Sequence, residues 1–301
     1  MNSEKKTALV TGATGFIGKH LCRKLIREGW KVHAVVRPSS DCSMLTNFAY
    51  GHIDCHTYDG KSDNLCGFMQ EVDPQVVFHL ASLFLAKHEF KDILPLIQSN
   101  ITFATQLVEA MIQAGVYNLI NTGTSWQHFN NAEYDPVCLY AATKEAFEDI
   151  LKYYQNTSPL QVITLKLFDT YGPADTRRKL IPLLQRITQT KEQLLMSPGD
   201  QYLDLVYIDD VIEAYLLAAE YLINEEYQYV DTYAVTSESP IKLKELVKVY
   251  ETVSGKKLDI VWGGQPYRDR EVMEPWNKGK LLPNWRPKVD IRQGISRLLE
   301  N

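Results

Sequence analysis

The sequence predicts an α/β protein: a doubly wound parallel sheet in the first part of the chain and a smaller, irregular α/β domain behind it. Three observations carry this. Short β-rich apolar runs alternate with helical patterns up to about residue 170, which is how a parallel sheet covered by helices reads in sequence. Three glycines spaced three apart stand directly after the first of these runs. Beyond Tyr171-Gly172-Pro173 the periodicity breaks up, with Pro182, Pro198, Pro240, Pro266, Pro275, Pro283 and Pro287 punctuating short elements.

In order, residues 7–10 read as the first strand and 18–28 as a helix stopped by Gly29. Residues 31–36 form the second strand, 75–80 a later buried one and 118–122 another. Residues 97–113 carry apolar side chains at helical spacing and end at Gly115; residues 140–154 do the same before Ser158-Pro159. A strand over 160–168 follows. The predicted domains are 1–170 and 171–301, with the strand and helix within 201–220 returning to the first.

Composition narrows the function classes. The 301 residues are 45% apolar and 23% charged, a globular balance that leaves out disordered and collagen-like chains. A formal net charge of -5 offers no global basic field to a nucleic acid or an anionic membrane, so phosphate recognition has to be local. Cys22, Cys42, Cys55, Cys66 and Cys138 are odd in number and lack C-x-x-C spacing; with no signal segment ahead of the first strand they point to reduced thiols and the cytoplasm. The apolar stretch 76–86 is too short to span a bilayer, so no membrane residence is expected. The histidines are scattered, and no metal is expected.

Thr11-Gly12-Ala13-Thr14-Gly15-Phe16-Ile17-Gly18 lies after a strand and at the mouth of a helix. Glycine permits a sharp turn and close approach to a pyrophosphate, whose charge the N–H groups of a helix N-terminus favour. Gly12, Thr14, Gly15, Phe16, Ile17 and Gly18 are therefore candidate dinucleotide contacts of a Rossmann-type sheet, the competing reading being an ordinary strand-to-helix turn. The second strand runs into Arg37-Pro38-Ser39-Ser40. A carboxylate at this place grips the ribose 2'-hydroxyl of NAD, whereas Arg37 with serine hydroxyls suits a 2'-phosphate and favours NADP over NAD. A solvated strand-end arginine is the alternative.

Tyr140-Ala141-Ala142-Thr143-Lys144 places a phenol and an ammonium four apart on one helical face. The ammonium is expected to lower the phenol pKa, making Tyr140 a general acid or base at a carbonyl or alcohol, with Lys144 also holding a nicotinamide ribose. Thr124, in Asn121-Thr122-Gly123-Thr124-Ser125, follows a strand and is expected at the carboxyl edge of the sheet, its hydroxyl polarising the substrate oxygen. A solvated helix pair and a strand-end cap are the bland readings of the same residues.

Together the glycine turn, His79-Leu80-Ala81-Ser82, Asn100, Thr124 and the Tyr140/Lys144 pair resemble the extended short-chain dehydrogenase/reductase family of nucleotide-sugar epimerases, dehydratases and reductases. Residues 168–173, 204–210 and 285–289 look like its C-terminal landmarks. The resemblance implies that Asp59 and Gly60 lie near the adenine, that Leu80, Ala81 and Ser82 run along the cofactor, that Asn100 and Thr122 belong to the same site, and that Phe168 lies near the nicotinamide. It also implies a substrate-binding role for the second domain and a homodimer formed through the helices at 97–113 and 140–154. Residues 121–129 and 139–150 look most like CDP-abequose and CDP-paratose synthases.

Dehydratases of this family carry an Asp-Glu pair after the threonine, where this chain has Ser125 and Trp126; Trp126 has no proton to exchange. Hydride transfer with one proton remains, as a 4-ketoreductase or a 4-epimerase, and Arg37 ranks reduction first. The rival from another class is a non-catalytic NADP-sensing regulator. For a nucleoside-diphosphate sugar the candidate contacts are Thr124, Ser125, Trp126, Tyr140, Asp169, Arg177, Lys179 and Arg268, the three cations for the diphosphate. Asp169 stands where relatives often have Asn and is expected to accept bonds from sugar hydroxyls or from the protein.

Overall fold

Apolar β-branched runs that are buried on both faces build a sheet that helices must cover. In the computed structural model, which describes residues 6–46, 51–224 and 231–300, the strands are β1 (Thr7–Thr11), β2 (Lys31–Val36), β3 (Asp54–Thr57), β4 (Val76–His79), β5 (Asn118–Thr124) and β6 (Gln161–Leu167). They lie in the order β3-β2-β1-β4-β5-β6, and a seventh strand, Thr232–Val235, closes the β6 edge. Pairing is parallel from β3 through β5. Thr11 at the end of β1 aligns with Val35 on one side and His79 on the other, so the order reverses beside β1, where doubly wound sheets bind ligands. The doubly wound prediction is borne out.

Helices α1 (Phe16–Arg27), α2 (Ser43–Thr46), α3 (Ser62–Val72), α4 (Ile93–Ile97), α5 (Phe103–Ala114) and α6 (Leu139–Thr157) connect these strands. Leu65 and Met69 of α3, Leu107 and Met111 of α5 and Phe147 and Leu151 of α6 join Leu9, Val77 and Leu119 of the sheet in one core. The helix expected over 97–113 is interrupted: Gln98–Thr102 forms a π-helical turn, and Asn100 sits inside it, 2% exposed.

The chain divides into two compact units. One comprises Met1–Thr124, Cys138–Lys166 and Ile212–Tyr233; the other comprises Ser125–Val137, Leu167–Val211 and Ala234–Asn301. The second contains β7 (Asp169–Tyr171), α7 (Leu180–Thr190), β8 (Leu194–Met196), β9 (Tyr202–Leu203), β10 (Leu205–Tyr207) and the start of α8 (Ile208–Ile223). After β11 (Thr232–Val235) come β12 (Ile241–Lys242), α9 (Leu243–Ser254), β13 (Ile260–Trp262) and α10 (Ile291–Leu299). Its strands form two-membered sheets, β10 with β7, β12 with β9 and β13 with β8. Buried Asp210 organises the tail of this unit: its carbonyl accepts from Trp285 Nε1 at 2.9 Å and its carboxylate from Val289 N at 3.0 Å. Among the described residues no helix is long and apolar enough to cross a membrane.

Candidate active site

The turn from β1 to α1 has room only for glycine. Gly12 has φ +72°, and a Cβ there would lie 2.7 Å from Ala81 N; a Cβ on Gly18 would lie 2.1 Å from the Gly12 carbonyl. Gly15 donates to that same carbonyl at 2.9 Å and starts α1 with no side-chain cap and no acid in the first turn. The helix N-terminus therefore keeps its N–H groups uncapped in a shallow cradle, and the residues fit the pyrophosphate of a dinucleotide. Thr14, Phe16 and Ile17 complete the turn, half-buried. The His79 ring and Ala81 N both bond the Thr11 hydroxyl, at 2.9 and 3.2 Å, which draws Leu80 and Ala81 against Gly12.

Arg37 follows β2 exposed, in a turn closed by Ser40 N onto the Arg37 carbonyl at 2.9 Å. Asp59 has a local use: its carboxylate accepts Lys61 N at 2.9 Å across Gly60, which has φ +96°.

Tyr140 is the second residue of α6 and Lys144 lies one turn on; both face inward, 9% and 2% exposed. Thr124 ends β5, which packs beside α6, and is 8% exposed. Asn100 fixes this corner. Its Oδ1 accepts from Leu83 N at 2.8 Å and from the Ser82 hydroxyl at 3.0 Å; its Nδ2 donates to the Leu83 carbonyl at 3.0 Å and to Thr143 Oγ1 at 2.9 Å. Thr122 donates to the His79 carbonyl at 2.8 Å and shares a 2.7 Å bond with the Tyr215 hydroxyl. Phe84 meets Tyr140 edge to face at 5.0 Å. Thr143 and Tyr215 escape sequence reasoning because only Tyr140 and Lys144 show a chemical pattern.

One electrostatic expectation is corrected. Burial pushes the Tyr140 phenol well above its usual value, Cys138 adds to this, and only the Ser82 hydroxyl pulls it down. Lys144 is not among the groups that move it; burial penalises the ammonium as well and lowers the Lys144 pKa to about 8, with Glu148 opposing. His79 is held neutral by burial and then by Lys144, its pKa lowered to about 3. Tyr140 therefore keeps its proton at neutral pH, the state a proton donor needs.

The remaining candidates belong to the second unit. Lys179 bonds Asp169 at 3.0 Å and stands over the Trp126 ring at 5.8 Å; Arg268 stands over the same ring at 5.5 Å. Asp169 thus accepts from the protein. Arg177 turns inward, donating to the Asp175 carboxylate at 2.8 and 2.9 Å and to the Thr170 carbonyl at 2.7 Å. Ser125 and Trp126 lie in a single 3-10 turn. Phe168 lies parallel to Trp276 at 6.3 Å, and Trp276 stacks on His128 at 3.9 Å; nothing in the local sequence around Trp276 signals this. Among the described residues no three His, Cys, Asp or Glu side chains gather as a metal site.

A model of the NAD dependent epimerase/dehydratase family matches residues 8–229. Over 98% of both chains the sequence is 28% identical to CDP-abequose synthase of Salmonella typhimurium. It is 25% identical to UDP-glucuronate 4-epimerase of Thermodesulfobacterium geofontis, over 96% of this chain and 94% of that protein. The fold superposes with a TM-score of 0.87 on a UDP-glucose-4-epimerase from Stenotrophomonas maltophila with bound NAD and formylated UDP-arabinopyranose, at 21% identity over 98% of this chain and 97% of that one.

Proposed function

The chain belongs to the NAD dependent epimerase/dehydratase family, as its motifs predict, and from that premise we propose that it reduces the C4 keto group of a nucleoside-diphospho-4-keto-6-deoxy or 3,6-dideoxy sugar with NADPH. The observation that carries the reading is Tyr140, buried with its proton held, one helical turn from Lys144 in the unit that also holds the glycine cradle. The similarity to CDP-abequose synthase over nearly the full chain supports a nucleotide-linked deoxy sugar as substrate.

When bound, the dinucleotide supplies hydride to the carbonyl carbon. Tyr140 breaks its O–H bond to give the proton to the C4 oxygen, and Thr124 donates a hydrogen bond to that oxygen. Lys144 balances the charge left on the phenolate. Asn100, bonded to Leu83 and Thr143, keeps α6 and the segment after β4 in register during this exchange. Arg37 takes the 2'-phosphate of NADP, while Lys179 and Arg268 take the diphosphate of the substrate. Arg177 braces the segment after β7 through Asp175 and Thr170. The reading includes a homodimer through α5 and α6, whose Tyr153 is 63% exposed.

A second reading, a 4-epimerase, is favoured by the likeness to UDP-glucuronate 4-epimerase. CDP-, dTDP-, GDP- and UDP-linked 4-keto sugars, each assayed by loss of NADPH absorbance, separate the two. A reductase consumes one NADPH per sugar with at least one of them. Isomerisation of the 4-hydroxy sugars without consumption selects the epimerase. Dinucleotide binding with no turnover on any sugar, unaltered in Tyr140→Phe, selects a non-catalytic NADP-sensing regulator.

A further inference from the structure

We propose that Trp126 is a positioning residue whose indole holds Lys179 and Arg268 together as a paired cation site for the two phosphates of a nucleoside diphosphate. The proposal rests on the nucleotide-sugar reading above and goes further by assigning the spacing of the cations to one aromatic ring.

Lys179 and Arg268 come from distant parts of the second unit, and both lie over the Trp126 ring. Each also has a carboxylate of its own: Asp169 for Lys179 at 3.0 Å, and Glu271 for Arg268 at 2.8 and 3.0 Å. Burial would raise the Glu271 carboxyl, but Arg268 more than offsets this and holds it below its usual range. Two cations brought to one ring repel, and each rides on a long flexible stem. The carboxylates offset charge, yet each grips one cation and sets no distance between the two. The indole ring is the feature they share, and its quadrupole, negative on the faces, attracts both. Lys179 keeps 29% and Arg268 51% of its side chain exposed, so an anion can reach both and compete with the carboxylates. A diphosphate carries charge on two linked phosphates and gains from both cations; a monophosphate gains from one.

Trp126 is held in place by other contacts. Val137 N donates to its carbonyl at 2.8 Å, and Asp135 N donates to the Gln127 carbonyl at 2.9 Å. Arg270 bonds Asp135 and covers the Phe129 ring at 4.2 Å, Trp276 stacks on His128, and Asn277 N and Lys278 Nζ donate to Asn131 at 2.8 and 2.7 Å. Removing the indole therefore leaves the segment 125–137 anchored.

The test is calorimetric titration of full-length Trp126→Leu and Trp126→Phe, saturated with NADPH, with CDP, dTDP, GDP and UDP and with the matching monophosphates. For whichever diphosphate the unmodified protein binds, Trp126→Leu is expected to lose about tenfold in affinity and to lose much less for the monophosphate, while Trp126→Phe, which keeps an aromatic face, recovers most of the loss. In a protein already carrying Lys179→Gln and Arg268→Gln, adding Trp126→Leu is expected to change diphosphate affinity by less than about twofold. Retained affinity in Trp126→Leu, an equal loss for diphosphate and monophosphate, or an undiminished effect without the two cations overturns the proposal. An unmodified protein that binds NADPH but none of the four diphosphates removes the nucleotide-sugar reading itself, and the proposal falls with it.

Discussion

Asn100 Nδ2 donates to the Thr143 hydroxyl at 2.9 Å, and Thr143 donates in turn to the Tyr140 carbonyl at 2.7 Å. With the bonds to Ser82 and Leu83, both donors and both acceptor sites of the amide are used. The π-helical turn around Asn100 places this hub on the buried side of the helix, where it ties the segment after β4 to the turn of α6 that carries Tyr140 and Lys144.

Asn100→Leu fills the same space without a partner for any of these groups. Leaving Leu83 N and its neighbours unsatisfied is expected to cost about 2–3 kcal/mol of stability. The shift it allows at Tyr140 is expected to lower kcat at least about tenfold. Urea unfolding and steady-state turnover check the two effects separately; a variant with unchanged kcat means that α6 keeps Tyr140 in place unaided.

Lys144 gives a pH dependence whose sign follows from burial. Its folded pKa is about 8, against roughly 10.4 in an unfolded chain. Between these values the unfolded chain holds a proton that the folded chain has released, so stability rises with pH from about 8 upward, and at pH 7 the fold bears the cost of a buried ammonium. Lys144→Met is therefore expected to unfold at a higher urea concentration at pH 7 and to lack that rise. Activity runs the other way: kcat/KM for reduction falls above about pH 8 as the ammonium is lost, and Lys144→Arg, which stays charged, moves that limb upward. A flat profile to pH 10 would mean that the charge of Lys144 is not used.

Much of this is legible locally. The glycine turn needs eight consecutive residues, Thr11 to Gly18, and its reason is steric, so sequence and structure agree on it. The π-helical turn is not legible, because apolar spacing over residues 97–113 continues through it and the extra residue shows only in the backbone, where Phe103 N donates to the Gln98 carbonyl five residues back. Asp169 reads as an acceptor for sugar hydroxyls or for the protein, and only the fold brings Lys179 to 3.0 Å from it. The Tyr140 shift is missed because spacing on a helix gives proximity to Lys144 and says nothing of how deeply both are buried.

Gly18→Ala tests the cradle. The added methyl carbon would sit 2.1 Å from the Gly12 carbonyl and 2.8 Å from Ala13 Cα, both backbone, so the turn has to move. Strain of about 1–3 kcal/mol and loss of most dinucleotide affinity are expected. Nicotinamide fluorescence on titration with NADPH reads the affinity; binding as tight as in the unmodified protein would detach the cofactor from this turn.

Arg37 should decide which dinucleotide is used. It stands exposed at the end of β2, its own N–H on the Ser40 hydroxyl at 3.2 Å, and its guanidinium has no ion-pair partner among the described residues. A charge-assisted contact to a 2'-phosphate is worth about 1.5–3 kcal/mol, so Arg37→Ala is expected to raise the KM for NADPH roughly 10- to 100-fold and leave that for NADH within about twofold. Arg37→Glu should go further and favour NADH, since a carboxylate repels the phosphate and accepts from a ribose hydroxyl. Steady-state kinetics with both cofactors on the three proteins measure this. Equal KM changes for the two would make Arg37 a solvated strand-end residue, and the ranking of reduction over epimerisation would lose its support.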